Sequence, residues 1–170
     1  MSGVDAKKEL ILDSGQINQK IRRIAVEIFE NNFREKSVVL AGIDGQGYSF
    51  AKTLAAELEG VSPLKTQVVK VSLDKLAPQQ GEVTIDADPK EIHRKCIILI
   101  DDVLNTGRTL TFGLKPFLRA DVKKIEIAVL VNRSHTMFPI APTYTGLELS
   151  TTLTDHVEVV LGKKSTVYLH

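Results

Sequence analysis

The chain has 170 residues, of which 43% are hydrophobic and 25% are charged, a balance typical of one soluble globular domain. Its 22 Lys and Arg residues against 21 Asp and Glu residues exclude a strong overall attraction to nucleic acid or to an anionic membrane, but not a local basic patch. The one cysteine, Cys96, excludes an internal disulfide, and we expect an inert core thiol rather than a nucleophile or a metal ligand.

Apolar runs in this sequence are short. The longest, such as residues 96–100 and 127–131, span only five residues, whereas a membrane-spanning helix needs about 20. The amino-terminal residues lack the apolar core of a signal peptide. We therefore expect a cytoplasmic protein that does not bind membranes.

The first third of the chain predicts a helix and then a strand, a loop and a second helix. An N-cap at Asp13–Ser14 precedes apolar residues at spacings of three and four, which predicts a helix to about Asn31. Residues 37–41 predict a short buried strand, residues 42–47 a loop, and residues 48–59 the second helix.

The middle of the chain predicts two further strands. Residues 67–73 form one, and residues 74–94, with two prolines and many charges, are expected to include a mobile loop. Ile97–Ile100 is a run of branched apolar residues, which is typical of a strand buried on both faces of a parallel sheet. The helix after it contains Gly113 and Pro116, so we expect a bend there.

The last third predicts a buried strand at residues 125–131 and two short strands around a hairpin turn at residues 162–164. Because strands alternate with helices, the fold class is α/β, with a mostly parallel sheet flanked by helices and an irregular carboxyl-terminal extension as a cap. We expect residues 1–170 to form a single domain.

The segment 97–109 carries the strongest functional signal. It consists of the apolar run, two adjacent carboxylates, Asp101 and Asp102, and a Thr/Gly loop that opens a helix. Ligands of open α/β sheets bind outside the carboxyl ends of the strands, and N–H groups at a helix start can converge on a phosphate. Paired carboxylates can bind a vicinal diol or a hydrated Mg²⁺. The segment therefore predicts a site for a sugar phosphate.

This segment resembles the phosphoribosyl diphosphate (PRPP) signature of the type I phosphoribosyltransferases. Its variant Asp-Asp-Val-Leu-x-Thr-Gly-Arg-Thr is similar to that of the bifunctional pyrimidine operon attenuator/uracil phosphoribosyltransferase family. The resemblance implies a type I phosphoribosyltransferase-like core with a small hood, formed by the amino-terminal segment and residues 132–149 or so. It also implies a homodimer or a higher homo-oligomer.

The resemblance also implies roles for three sets of residues. PRPP, carrying Mg²⁺ without a direct metal site on the protein, would bind to Asp101, Asp102, Val103, Leu104, Asn105, Thr106, Gly107, Arg108 and Thr109, with Asp101 and Asp102 as the catalytic residues. The pyrophosphate loop would be Ile43, Asp44, Gly45, Gln46 and Gly47. The nucleobase would lie near Asn132, Arg133 and His135, although a structural role for His135 stays open.

Two loops depart from the family pattern. Where the family carries Lys and Arg, this chain has Asp44 and Gln46, and a carboxylate beside a pyrophosphate charge weakens binding unless a cation intervenes. Arg22, Lys52 or a partner subunit could supply the missing charge. In the expected mobile loop, Lys75 stands in for an arginine of the family, and a lysine is a less precise anion clamp.

Three functions remain open. Asn105 occupies the position where relatives that use six-oxopurines carry an aspartate, and an amide cannot take a proton at neutral pH. The leading hypothesis is therefore phosphoribosyl transfer from PRPP to a pyrimidine, foremost uracil, giving UMP and pyrophosphate. A second is transfer to another nucleobase. A third is a nucleotide-sensing, RNA-binding regulator of pyrimidine genes with weak or no catalysis, whose basic face would come from Lys7, Lys8, Arg22, Arg34, Lys123 and Lys124.

Overall fold

The structure is a computed structural model that describes residues 7–74, 76 and 81–170. In chain order its elements are β1 (Glu9–Leu12), α1 (Ser14–Asn32), β2 (Ser37–Ile43), α2 (Gln46–Val61), β3 (Lys65–Ser72), β4 (Thr84–Ile85), α3 (Pro89–Ile92), β5 (Cys96–Leu104), α4 (Arg108–Gly113), α5 (Lys115–Leu118), β6 (Lys124–Asn132), β7 (Tyr144–Glu148), β8 (Val157–Val160) and β9 (Thr166–Leu169). They form a six-stranded sheet, ordered β4-β3-β2-β5-β6-β7, and a three-stranded sheet, ordered β1-β9-β8.

The large sheet is mostly parallel and has helices on both faces. Among the described strands of this sheet, β4 alone runs antiparallel to its neighbour. Successive strand residues point to opposite faces, so Leu40 and Ile98 pack with α1 and α2, whereas Val39 and Ile97 pack with α4 and α5. The continuous apolar strands are explained by this double burial, and the predicted α/β architecture is confirmed.

The first helix follows the prediction closely. It begins after Asp13, whose carboxylate accepts a hydrogen bond from the Gln16 N–H at 2.9 Å, and the Gln16 side-chain oxygen accepts one from the Asp13 N–H at 2.9 Å. Such a capping box satisfies two backbone donors that the helix itself leaves unpaired, and a cap residue contributes about 1 kcal/mol. Its buried stripe includes Ile17, Ile21 and Ile28.

Strand β5 is longer than the apolar run that predicted it. Beyond Ile100 it no longer pairs with β2, but it continues along β6, with Asp101 opposite Val129 and Leu104 opposite Asn132. The two carboxylates therefore lie on the strand rather than after it. The expected bend after this strand is confirmed, since the helix is interrupted at Leu114 between α4 and α5.

The small sheet joins the two ends of the described chain. The predicted carboxyl-terminal hairpin is confirmed as β8 and β9, and β1, which was not predicted, pairs with β9. Within the expected hood segment 132–149, β7 pairs with β6 and so belongs to the large sheet. The extent of a hood stays a prediction. Part of the expected mobile loop, including Lys75, lies outside the described residues.

Cys96 is fully buried at the start of β5, and burial raises the pKa of its thiol. Because the thiolate is the reactive form, we expect no labelling by a thiol-specific reagent at pH 8 in the folded protein, and complete labelling in denaturant. A thiol reagent that releases a chromophore on reaction reports the extent of labelling in the folded and the denatured protein by absorbance. Rapid labelling of the folded protein would contradict the structure.

In the part of the chain described, no helix is long and apolar enough to cross a membrane.

Candidate functional site

A cavity of about 420 Å³ lies at the carboxyl end of β5. One side is the unbroken run from Asp101 to Leu110, which contains every residue predicted to bind PRPP. The opposite side, which we call the β8 wall, consists of His156, Val157, Glu158 and Val159. A strand, the loop after it and the start of α4 thus bring all nine predicted residues to one concave surface.

The two carboxylates of this run differ in their surroundings. Asp101 is only 3% exposed, and its Oδ1 atom accepts a hydrogen bond from the Asp102 N–H at 2.9 Å. Asp102 is half-buried at the cavity. Gly47 lies against Asp101 so closely that a Cβ atom on Gly47 would be 2.9 Å from Asp101 Oδ1. The predicted pyrophosphate loop and the carboxylate pair are therefore in direct contact.

Backbone hydrogen bonds from residues 137 and 138 hold the loop between β5 and α4 in place. The Thr106 carbonyl accepts hydrogen bonds from the N–H groups of Met137 and Phe138, at 2.8 and 3.1 Å. Gly107 has a φ of +88°, which side-chain-bearing residues rarely adopt. Gly107 offers no side chain to cap α4, and the Arg108 N–H, the first of that helix, donates a hydrogen bond to Thr106 Oγ1 at 3.2 Å. The other N–H groups of the first turn have no acceptor within the helix and can bind a ligand.

Arg133 connects this loop to the turn before β8. Its guanidinium donates hydrogen bonds to the Asn105 side-chain oxygen at 2.8 Å, to Thr151 Oγ1 at 2.9 Å, and to the carbonyls of Thr152 and Asp155 at 3.1 and 2.6 Å. The Asp155 carboxylate accepts the Thr152 N–H at 2.7 Å, and this hydrogen bond lowers the pKa of Asp155. Arg133 therefore ties the cavity's two sides together.

The other two predicted base-binding residues also have protein partners. Asn132 donates a hydrogen bond to Glu148 Oε1 at 3.2 Å, and His135 Nε2 lies 2.8 Å from the Thr151 carbonyl oxygen. Of the described residues, the β8 wall rather than this trio lines the cavity opposite the loop. Sequence reasoning missed that wall because only the three-dimensional fold brings residues 156–159 to residues 101–110.

The predicted pyrophosphate loop spans the end of β2 and the start of α2. Ile43 is the last residue of β2, and Gly45 adopts a φ of +98°. The Asp44 carboxylate accepts a hydrogen bond from the Gly45 N–H at 2.9 Å, and Gln46 Oε1 accepts one from the Leu161 N–H at 2.9 Å. The loop is therefore linked to the carboxyl-terminal hairpin.

Of the two cations proposed to replace the missing loop charge, Lys52 lies near the loop and Arg22 does not; Lys70 is a further lysine near the loop. Lys52 Nζ is 4.7 Å from the ring centroid of Tyr48, and Lys70 Nζ is 4.8 Å from the same ring. Tyr48 follows Gly47 directly, so both ammonium groups are near the loop. Arg22 instead lies 3.9 Å from Glu57 between α1 and α2. No three His, Cys, Asp or Glu side chains within the described ranges are arranged to hold a metal ion.

Replacing Arg133 by methionine is expected to loosen the loop and weaken PRPP binding about tenfold, because hydrogen bonds from a charged group contribute about 1.5–3 kcal/mol each and partial exposure reduces this. Methionine keeps the aliphatic packing of the stem. Calorimetry with PRPP and the thermal unfolding midpoint measure the two effects. Arg119→Met, at an exposed position after α5, is the control. Unchanged affinity in Arg133→Met would contradict the tethering role.

Comparison with known proteins agrees with this geometry. Residues 8–163 match the phosphoribosyl transferase domain family. The chain is similar to the Bifunctional protein PyrR of Clostridium kluyveri, with 33% identity over 162 residues and 92% of each chain covered. It is also similar to that of Bacillus pumilus, with 35% identity over 168 residues and 92% of each chain covered.

Solved structures with the same fold include two purine enzymes. A hypoxanthine-guanine phosphoribosyltransferase from Bacillus anthracis superposes with a TM-score of 0.69 at 18% identity, covering 84% of each chain. A hypoxanthine phosphoribosyltransferase from Staphylococcus aureus gives 0.67 at 23% identity, covering 83% of this chain and 77% of that one. At these identities the likeness establishes the fold.

Proposed function

This chain belongs to the phosphoribosyl transferase domain family, and from that premise we propose that it transfers a phosphoribosyl group from PRPP to uracil, forming UMP and pyrophosphate with Mg²⁺. The observation that carries the proposal is the single cavity lined by the whole run from Asp101 to Leu110. In this reaction uracil N1 bonds to the anomeric carbon as the C–O bond to pyrophosphate breaks. The electron pair of that bond leaves with pyrophosphate, and the N1 proton of uracil is released to solvent.

The 5-phosphate is proposed to bind at residues Thr106 to Thr109. Interaction with the helix start contributes about 0.3–1 kcal/mol, or up to about 2 kcal/mol when partly buried. Each hydrogen bond to the charged phosphate adds about 1.5–3 kcal/mol. The left-handed Gly107 and the first turn of α4 support this role, because N–H groups in that turn other than that of Arg108, which donates to Thr106 Oγ1, have no acceptor within the helix. Arg108, which lines the cavity, would add positive charge there.

Asp101 and Asp102 are proposed to bind the ribose hydroxyls and to stabilise the positive charge that develops on the ribose ring as its bond to pyrophosphate breaks. Burial strengthens this effect for Asp101, because fewer water molecules screen its charge. Carboxylate oxygens beside the phosphate oxygens of PRPP form a donor set that fits Mg²⁺, which when bound would neutralise the departing pyrophosphate.

The base is proposed to lie between the signature loop and the β8 wall. Residues 157–159 of this wall belong to β8, which is an edge of the small sheet among the described strands, so one side of their backbone can hydrogen-bond a flat heterocycle. The contacts of Asn132, Arg133 and His135 support a role in holding the loop and the turn before β8. Direct base contact by these three residues stays a prediction.

A panel of radiolabelled nucleobases tests the reaction. With PRPP and Mg²⁺, uracil is expected to give labelled UMP, and hypoxanthine and guanine are expected to give no product, because the Asn105 amide offers no base for a purine N7 proton. Conversion of a purine, or of no base at all, would contradict the proposal for uracil. Conversion of a different pyrimidine would replace uracil as the proposed substrate, and the proposed transfer mechanism would still hold.

A second candidate function is RNA binding, which the resemblance of residues 97–109 to the signature of the bifunctional attenuator family implies. The six basic candidates fall into separate groups. Lys123 pairs with Glu35, next to Arg34, and Lys124 Nζ lies 3.3 Å from the Asn31 carbonyl. Lys8 pairs with Glu158 on the small sheet, and Arg22 with Glu57.

The group near the end of α1 is the best candidate for an RNA contact, because Arg34, Lys123 and Lys124 lie there, and Glu35 and Glu126 pair with the two lysines. If this group binds RNA, Arg34→Ala and Lys124→Ala will each lower the affinity and reduce its salt dependence, since each removes a charge that displaces counterions. Filter binding at several salt concentrations measures both. Affinity that does not depend on salt would exclude this surface as a phosphate-binding face.

A further inference from the structure

The amino end of α2 carries a carboxylate of its own. Asp44 Oδ1 accepts the Gly45 N–H at 2.9 Å, and the Asp44 N–H donates to the Val71 carbonyl at 2.9 Å, which fixes the backbone against β3. Gly45, with its φ of +98°, is the residue that precedes α2, and no side-chain hydrogen bond caps the helix there. The Asp44 carboxylate thus accepts the Gly45 N–H, a backbone donor of the predicted pyrophosphate loop that a ligand would otherwise use.

We propose that Asp44 acts as a built-in anion in this loop and sets the ligand class of the site. The site then favours sugar phosphates with a single 5-phosphate, including nucleoside 5′-monophosphates, over ligands that also carry a diphosphate. This inference rests on the proposed function, because it assigns the loop to the same ligand as the signature segment.

A second contact leads to the same conclusion. Gln46 offers a neutral amide in place of a cation, and its side-chain oxygen accepts a hydrogen bond from the Leu161 N–H at 2.9 Å. This contact fixes the side chain to the carboxyl-terminal hairpin. The next residue, Gly47, abuts Asp101. A diphosphate in this loop would therefore meet the carboxylates of Asp44 and Asp101, with no positive charge at position 46.

Nearby cations do not neutralise Asp44 directly. Across residues 7–74, 76 and 81–170, no lysine or arginine forms an ion pair with Asp44. The ammonium groups of Lys52 and Lys70 lie over the Tyr48 ring instead. Two like charges about 4 Å apart weaken binding about fivefold when water screens them fully and about 10³-fold at an effective dielectric constant near 20.

Two matched ligands test this inference. PRPP and ribose 5-phosphate differ only by the diphosphate, so calorimetry of both, without divalent metal and with Mg²⁺, isolates its contribution. Asp44→Asn keeps an acceptor for the Gly45 N–H and removes the charge. Asp121→Asn removes one exposed carboxylate before β6, at the other end of the sheet, and is the control. Thermal unfolding confirms that each variant is folded.

The metal-free wild-type protein is expected to bind ribose 5-phosphate at least as tightly as PRPP. In Asp44→Asn the affinity for PRPP is expected to rise about tenfold or more, and that for ribose 5-phosphate to change less than about twofold. Asp121→Asn should change neither. If both ligands bind and Asp44→Asn leaves their ratio unchanged, the inference is overturned and the proposed function stands. If neither ligand binds any variant under either condition, the proposed function fails and the inference with it.

Discussion

Asp102→Asn is expected to lower phosphoribosyl transfer from PRPP by about 10²- to 10³-fold, the usual effect of removing one well-placed electrostatic partner in an active site. The substitution keeps the size of the side chain and removes its charge. Asp102 is half-buried, whereas Asp101 holds the backbone of the strand through the Asp102 N–H. Changing Asp102 therefore tests charge with the least effect on folding.

Initial rates with saturating uracil and PRPP measure this effect, and the thermal midpoint reports on the fold. Asp121→Asn, which removes an exposed carboxylate away from the cavity, is the matched control and should keep wild-type rates. Normal turnover by Asp102→Asn would remove the carboxylate pair from the mechanism. A loss of rate accompanied by unfolding would instead assign Asp102 to stability, a result that circular dichroism distinguishes.

Gly47→Ala is expected to have the second-largest effect. The added methyl group would lie 2.9 Å from Asp101 Oδ1 and 3.0 Å from the Ile100 carbonyl oxygen, so α2 or β5 must move. Overpacking of this kind costs about 1–3 kcal/mol of stability. Because the contact joins the proposed pyrophosphate loop to the carboxylates proposed as catalytic, we also expect the rate of transfer to fall about 10²-fold, as misplacement by about 1 Å does in other enzymes.

The same helix provides the control for this substitution. Gly60 lies near the end of α2, and a Cβ atom added there meets nothing within 4 Å. Gly60→Ala is therefore expected to raise stability by about 0.4–1 kcal/mol, because alanine restricts the unfolded chain more than glycine does, and to leave the rate unchanged. Denaturant unfolding and initial rates measure both variants. Equal behaviour of the two variants would contradict the close approach of Gly47 to Asp101.

The sequence predicted the elements whose patterns are local. The stripe of α1 and the apolar run of β5 follow from residue spacing, and Pro116 with Gly113 correctly predicted the interruption after α4. The loop before α2 was predicted to be longer than it is, since Gln46 and Gly47 carry no apolar signal although they begin the helix. The local sequence pattern therefore predicted which elements form more accurately than it predicted the residues at which they begin and end.

The missed features depend on contacts between distant parts of the chain. Strand β1 is only four residues long and is stabilised by pairing with β9, more than 150 residues away. Strand β7 lacks a strong alternating pattern but completes the edge of the large sheet beside β6. The Gln46–Leu161 contact likewise joins residues 115 positions apart. Nothing in their local sequences reports these partners.

The candidate site shows the same division. The run from Asp101 to Thr109 was predicted as a unit from its resemblance to the PRPP signature, and a strand, a loop and a helix start place these consecutive residues around one cavity. The facing β8 wall was not predicted, and Arg133 was considered only as a base contact. Its hydrogen bonds to Asn105 and to the turn before β8 indicate how the two sides are held together.

A crystal structure of the protein with PRPP and Mg²⁺ tests the central proposal most directly. We predict the 5-phosphate within hydrogen-bond distance of the N–H groups of Thr106 to Thr109, and the ribose hydroxyls at the carboxylates of Asp101 and Asp102. Electron density for PRPP bound elsewhere on the chain, with no ligand density in the 420 Å³ cavity, would contradict it.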